Sequence, residues 1–157
     1  MFEIGDHIIY PMHGAGIIEG IEEKEIQGQI QKYFVIKIPV NKMQVLVPIK
    51  NITKTSIRLV ADTLAMDIVM ENFHYGESDK SLFWKQRYKI NSDKMRSGKL
   101  NDGAEVVRDL MRIQKEKNLN SSEKQMLENA RKIFIGELGL IRGISEVQAT
   151  ELLKVSL

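Results

Sequence analysis

Apolar and polar positions alternate with one period in the first third of this chain and with another in the rest. From Met1 to about Arg58 the period is two. Four short β-rich runs, His7–Tyr10, Gly16–Ile26, Gln31–Ile38 and Met43–Pro48, are separated by glycine, proline and polar residues. The turn candidates are Gly5-Asp6, Met12-His13-Gly14, Gln27-Gly28-Gln29 and Val40-Asn41-Lys42. Hairpins joining such strands predict a small, twisted antiparallel barrel or sheet. After Arg58 the period moves toward 3.6. Leu64, Ile68 and Met70 mark a first helix with a left-handed stop at Gly76, and Ser78 or Asp79 is placed to cap a second that runs to about Ser97. A third starts at Asn101 or Asp102 and carries Val106, Val107, Leu110, Met111 and Ile113 as its apolar stripe. For the fourth, Ser122 with Gln125 competes with Asn120 and Glu123 as capping box. Met126, Leu127, Ala130, Ile133, Phe134, Leu138 and Ile141 then recur at spacings of three and four. A short fifth helix, about Ser145–Val155, closes an α+β chain expected to divide into residues 1–57 and 58–157.

Composition narrows the class. With 157 residues, 43% hydrophobic and 28% charged, the chain has the make-up of a soluble globular protein. No apolar run approaches the roughly 18 residues of a bilayer span. The opening MFEIGDHIIYP carries Glu3 and no leading cation, unlike a secretory signal, so a cytoplasmic protein without membrane contact is expected. The absence of cysteine removes disulfides, thiolate nucleophiles and cysteine-based zinc sites.

Charge changes the picture locally. Net charge is only +2, yet Lys80–Lys99 holds seven lysines or arginines against one acid, Asp93, together with the only tryptophan. At about 100° per residue, Trp84, Tyr88 and Met95 form one stripe of the second helix. Lys85, Lys89 and Arg96 form its neighbour, and Phe83 and Ile90 are left for the core. Cations beside aromatic rings suit phosphate plus base contacts. An indole there has the chemistry of a wedge, because insertion at a base step unstacks it while backbone contacts offset the cost. A lone tryptophan on a helix more often packs against a core, and charge runs are usually solvated faces. The combination raises the nucleic-acid reading to an even footing with the packing one. Lys124, Arg131 and Lys132 extend it, since Lys124 near a helix N-terminus opposes the dipole and gains little there structurally. Arg108 and Arg112, beside Glu105 and Asp109, are assigned to intrahelical pairing, and Arg142 and Lys154 to solvent.

Catalysis finds little footing. His7, His13 and His74 are scattered and match no metal spacing, and no carboxylate pair stands out. Gly14-Ala15-Gly16 lacks the third glycine and the Lys-Ser/Thr of a phosphate loop and is read as a tight β-turn. No catalytic residue, metal, cofactor or small-molecule substrate is expected.

The run Ile4-Gly5-Asp6-His7-Ile8-Ile9-Tyr10-Pro11-Met12-His13-Gly14-Ala15-Gly16 resembles the opening of the CarD family of bacterial transcription regulators, a module shared with the transcription-repair coupling factor. Trp84-Lys85-Gln86-Arg87-Tyr88-Lys89, Glu105-Val106-Val107-Arg108-Asp109-Leu110 and Ser122-Glu123-Lys124-Gln125-Met126-Leu127 extend the resemblance over nearly the whole chain. It implies a Tudor-like β domain that binds the β subunit of RNA polymerase and a helical domain that contacts promoter DNA. In such proteins the tryptophan matching Trp84 enters the minor groove at the upstream edge of the melting region and stabilises the open complex. Arg87 and Lys89 would then hold neighbouring phosphates, and Lys124 would face DNA. Lys85 differs from the small polar residue common there, so its role rests on the helical wheel.

Docking through a β module suggests strand addition, for which Glu23–Gln27, including Lys24 and Ile26, and Gln44–Val47, including Leu46, are the candidates. The resemblance puts arginine more often at the positions of Lys24 and Leu46. Lysine loses the bidentate fork and leucine loses the charge, which makes this contact more apolar or matches it to a different β subunit. A protein–protein adaptor without DNA contact and a free nucleic-acid chaperone are the alternatives.

Overall fold

The computed structural model describes residues 1–39 and 42–154. In chain order these form β1 (His7–Tyr10), β2 (Gly14–Ile26), β3 (Gln29–Ile38), β4 (Met43–Pro48), a 3-10 segment (Ile49–Lys54), β5 (Arg58–Leu59), α1 (Thr63–Tyr75), α2 (Trp84–Ser97), α3 (Leu100–Glu116), α4 (Ser121–Arg142) and α5 (Glu146–Lys154). Two compact units meet in the sequence at Val60 and Ala61. The β unit runs past residue 57 because β5 pairs with β1, Ile8 opposite Leu59 and Ile9 opposite Arg58. This two-residue strand and the 3-10 segment, in which only Ile52 is buried, are too short to show a period. The expected turn at Val40-Asn41-Lys42 and the end of the fifth helix at Val155 lie partly outside the described residues.

The β unit is an antiparallel sheet in the order β4-β3-β2-β1-β5. Alternation puts Phe34, Ile36 and Ile38 of β3 on one face, where they meet Ile8, Ile18, Val47, Ile52 and Ile57 in a core of their own. Gly14-Ala15-Gly16 is not a turn but the start of β2, paired with Ile8–Tyr10. The turn lies just before it, where the His13 N–H donates to the Tyr10 carbonyl (2.9 Å). Gly16 is needed because a Cβ there would meet the Lys37 carbonyl oxygen at 2.9 Å. Past the body of the sheet, β2 and β3 continue as a two-stranded ribbon from Glu23 opposite Lys32 to Ile26 opposite Gln29. It closes through Gln27 (φ 54°) and Gly28 (φ 78°), the pair of left-handed residues that a type I′ hairpin requires.

The helical unit closes on a second core drawn from α1 through α5, with Met66, Phe73, Val106, Val107, Leu110, Leu127, Phe134 and Leu138 inside it. The stripes expected for α3 and α4 face this core. In α1 the stripe is shifted: Met66, Val69, Met70 and Phe73 are buried, whereas Leu64 and Ile68 stand in solvent. Gly76 ends α1 without a left-handed conformation (φ −67°, ψ 154°). Its small size matters instead, since a Cβ would meet the Asn72 carbonyl oxygen at 2.5 Å and crowd the Arg108 guanidinium. The left-handed stops are Gly98 after α2 and Gly143 after α4.

One other expectation changes, and of the two caps offered for α4 one is made. Neither Ser78 nor Asp79 caps α2, which starts only at Trp84. Ser78 donates to Asp109 (2.5 Å). Asp79 accepts from the Ser81 backbone and hydroxyl, bonds that lower its pKa. At α4, Asn120 is the cap, its Oδ1 accepting from the Glu123 N–H (2.9 Å). In α5, Ser145 and Gln148 form the reciprocal capping box.

Candidate nucleic-acid interface

On α2 the wheel groups residues as expected but the inward stripe is the other one. Met95 is buried together with Asn91, and Tyr88 is half-buried. Phe83 (61% exposed) and Ile90 (40%) face out instead of filling the core. Periodicity groups side chains and leaves open which group packs inward; here Asn91 and Met95, with Tyr88 beside them, do so. Trp84, the first residue of α2, heads that stripe and is 39% exposed, so the indole is not sealed inside the core.

Around this ring the neighbours are cationic or aromatic. Lys85 Nζ lies 5.9 Å from the indole centroid, a cation–π contact. The Phe83 ring sits 6.3 Å from it at an interplanar angle of 48°. Lys85, Lys89 and Arg96 are all exposed on one stripe. Asp93 lies beside them and pairs with Lys89 (3.6 Å) and with Arg96. Such exposed pairs are weak and exchangeable for a phosphate at little cost.

Arg87 behaves differently from the phosphate clamp expected of it. Its Nε and Nη2 donate to the two carboxylate oxygens of Glu123 at 2.7 and 2.8 Å. The side chains of this bidentate pair are only 12% and 1% exposed. Hydrogen bonds to Glu123 raise the Arg87 pKa against the opposing effect of burial. The guanidinium thus fastens the first turn of α2 to the first turn of α4, and Lys124, the residue after Glu123, is brought exposed to the same end of the unit. Arg131 is half-buried with its Nε lacking a hydrogen-bond partner, and Lys132 is exposed.

Arg108 and Arg112 do more than pair along α3. Arg108 does bridge Asp109 (2.8 Å) and Glu105 (3.6 Å), but it also donates to the Asn72 and Glu77 carbonyls. Arg112 donates to the carbonyls of Gly76, Phe73 and His74. Together they satisfy the C-terminal carbonyls of α1 and complement its dipole. Burial and the charge of Arg108 lower the Arg112 pKa. Arg142, expected in solvent, bridges α4 to Asp67 of α1 (3.0 Å).

In the β unit, the two segments expected to add a strand both lie on open edges. β4 is an outermost strand. Beyond Ile18, β2 has only β3 beside it among the described residues. Lys24 and Ile26 are exposed on the ribbon, and Leu46 is half-buried on β4 opposite Val35.

Comparison with known proteins matches this division of the chain. Residues 2–61 match the CarD-like/TRCF RID domain. Residues 68–154 match the CarD C-terminal domain. The chain belongs to the CarD family. A relative from Bacillus subtilis (strain 168), described as "Putative transcription factor YdeB", is 56% identical over 148 residues, covering 94% of this chain and 97% of that protein. Membership places this CarD protein among transcription factors. Among the described residues, no helix is long and apolar enough to cross a membrane.

Sequence reasoning missed Phe83 as a surface residue and the Arg87–Glu123 clamp. The first carried a usable signal: a phenylalanine at a helix start has no packed turn before it to hide in. For the second, the Asn120/Glu123 spacing was visible as a cap, but nothing in one sequence links Glu123 to an arginine 36 positions away.

Proposed function

We propose that this CarD protein binds the RNA polymerase β subunit through the open edges of its β unit and promoter DNA through its helical unit, where Trp84 acts as a minor-groove wedge that stabilises the open complex. The observation that carries the reading is the part-exposed indole at the start of α2, roofed by Lys85 and bordered by the exposed stripe Lys85–Lys89–Arg96. Lys124, Lys132 and Arg131 extend the cationic surface along α4, and Arg87 serves as a positioning residue that holds Trp84 and Lys124 at one end. On the polymerase side, a partner strand alongside Glu23–Gln27 or Gln44–Val47 would gain main-chain hydrogen bonds, with Lys24, Ile26 and Leu46 supplying specificity.

The mechanism is coupling rather than catalysis. Tethering to polymerase raises the local concentration of the helical unit at the promoter, so weak contacts that ignore sequence suffice. Trp84 then favours the melted state by its preference for a distorted step, a coupling of about 1–3 kcal/mol. The test is open-complex lifetime on purified polymerase with wild type, Trp84→Ala and Lys24→Glu. Both variants should bring the lifetime back toward that of polymerase alone, the first with polymerase binding intact and the second without it. A Trp84→Ala protein that folds and still extends the lifetime in full overturns the wedge.

A further inference from the structure

We infer that Phe83 and Trp84 form a two-ring wedge, each ring seated against one of the two bases that flank an opened step at the junction of paired and unpaired DNA. The inference rests on the wedge proposed for Trp84 and adds a residue to it. Phe83 occupies the N-cap of α2, yet its side chain makes no capping hydrogen bond. At this terminus Gln86 Oε1 accepts from the Phe83 N–H at 3.4 Å. Ser, Thr, Asp or Asn would satisfy an orphan donor there, and a residue without an acceptor forgoes that stabilisation. Nor does the core repay the loss, because the ring is 61% exposed and its ring-to-ring neighbour is the indole. A large apolar group at a position that disfavours it, exposed next to a second exposed ring, makes a contiguous two-ring apolar patch, and it is such patches rather than single exposed residues that mark binding sites.

The ring geometry says what kind of ligand. The two planes diverge by 48° with centroids 6.3 Å apart. Stacked bases are spaced about 3.4 Å along a strand, so rings 6.3 Å apart with a base against the outer face of each hold those bases roughly 13 Å apart, a separation open to unpaired strand and not to stacked duplex. Every base offers a π-face, so the device needs no particular sequence. Lys85, with its Nζ 5.9 Å from the indole centroid, puts a cation beside the rings for a phosphate of the same strand.

The experiment measures affinity of the full-length protein for a synthetic duplex with a short mismatched bubble and for the same duplex fully paired, alongside melting temperature. Phe83→Ser, which supplies a capping hydroxyl, should melt higher than wild type and yet bind the bubble about five- to tenfold more weakly, the lower end of one base–aromatic stack. Its affinity for the paired duplex and the salt slope should not change, and Phe83→Tyr should retain the preference for the bubble. If Phe83→Ser binds the bubble like wild type while Trp84→Ala loses the preference, the inference falls and the single-tryptophan wedge stands. If neither substitution alters the preference, both readings fall. A Phe83→Ser protein that melts lower and loses affinity for both DNAs equally would reduce Phe83 to a structural role.

Discussion

Arg87 and Glu123 show how a charged residue can be moved from one function to another by its surroundings. A bidentate pair this enclosed contributes mainly by not being broken: removing one partner strands the other in a low-dielectric setting. Arg87→Ala should therefore cost about 3 kcal/mol by denaturant unfolding, and Arg87→Lys much of that, because lysine keeps the charge and loses the fork. The double variant Arg87→Met/Glu123→Met should recover stability, which separates a structural clamp from a phosphate contact. His74 offers a pH test. Burial lowers its pKa from the ordinary 6.5, so the unfolded chain takes up the proton first and stability falls as pH drops below about 6.5. His74→Gln should flatten that part of a stability-versus-pH curve. At this scale the sequence was legible where chemistry is local. The wheel grouped Trp84 with Tyr88 and Met95, and Lys85 with Lys89 and Arg96, from spacing alone. Which stripe turned inward, and that Arg87 would find Glu123, depended on packing between distant segments.

At the scale of elements, the joint between α1 and α3 is held by polar contacts around a glycine. Gly76 lets Arg108 and Arg112 reach the last carbonyls of α1. Gly76→Ala should cost about 1–3 kcal/mol, the usual range for overpacking, because the Asn72 backbone it would meet cannot move aside cheaply. A calorimetric melt within experimental error of wild type would remove the steric argument. The sequence pointed to the stop at Gly76 but not to its cause: the same letter serves left-handed caps and close approaches, and only a neighbouring side chain distinguishes them. Strands 7–10 and 43–48 and the stripes of α3 and α4 were legible because each repeats its period over a whole element. Residues 49–59 were not, since a single 3-10 turn and a two-residue strand complete no repeat.

On the scale of the whole molecule, net charge is only +2, while α2 alone carries five lysines or arginines against one acid, Asp93. If the proposed division of labour holds, binding of the protein alone to DNA should weaken steeply with salt, while its effect on polymerase-held promoters should fall more gradually, because tethering replaces part of the electrostatic attraction. Titrations at several salt concentrations, compared with open-complex lifetimes in the same buffers, give the two slopes; parallel slopes would remove the tether from the mechanism.

The uncovered ribbon of β2 and β3 has a cost in crowded company. A backbone row able to accept a strand from another protein is equally able to accept its own twin, and Ile21, Ile26 and Ile30 on it are exposed. Glu22, Glu23, Lys24 and Glu25 stand between those isoleucines, and three like charges in four positions repel an identical strand laid alongside. Replacing Glu23 and Glu25 by valine should make the sedimentation coefficient rise with concentration more steeply than that of wild type. Those carboxylates would thus allow the protein to outnumber its partner without clumping, and bar the transcription machinery from reading the ribbon through an acidic strand of its own.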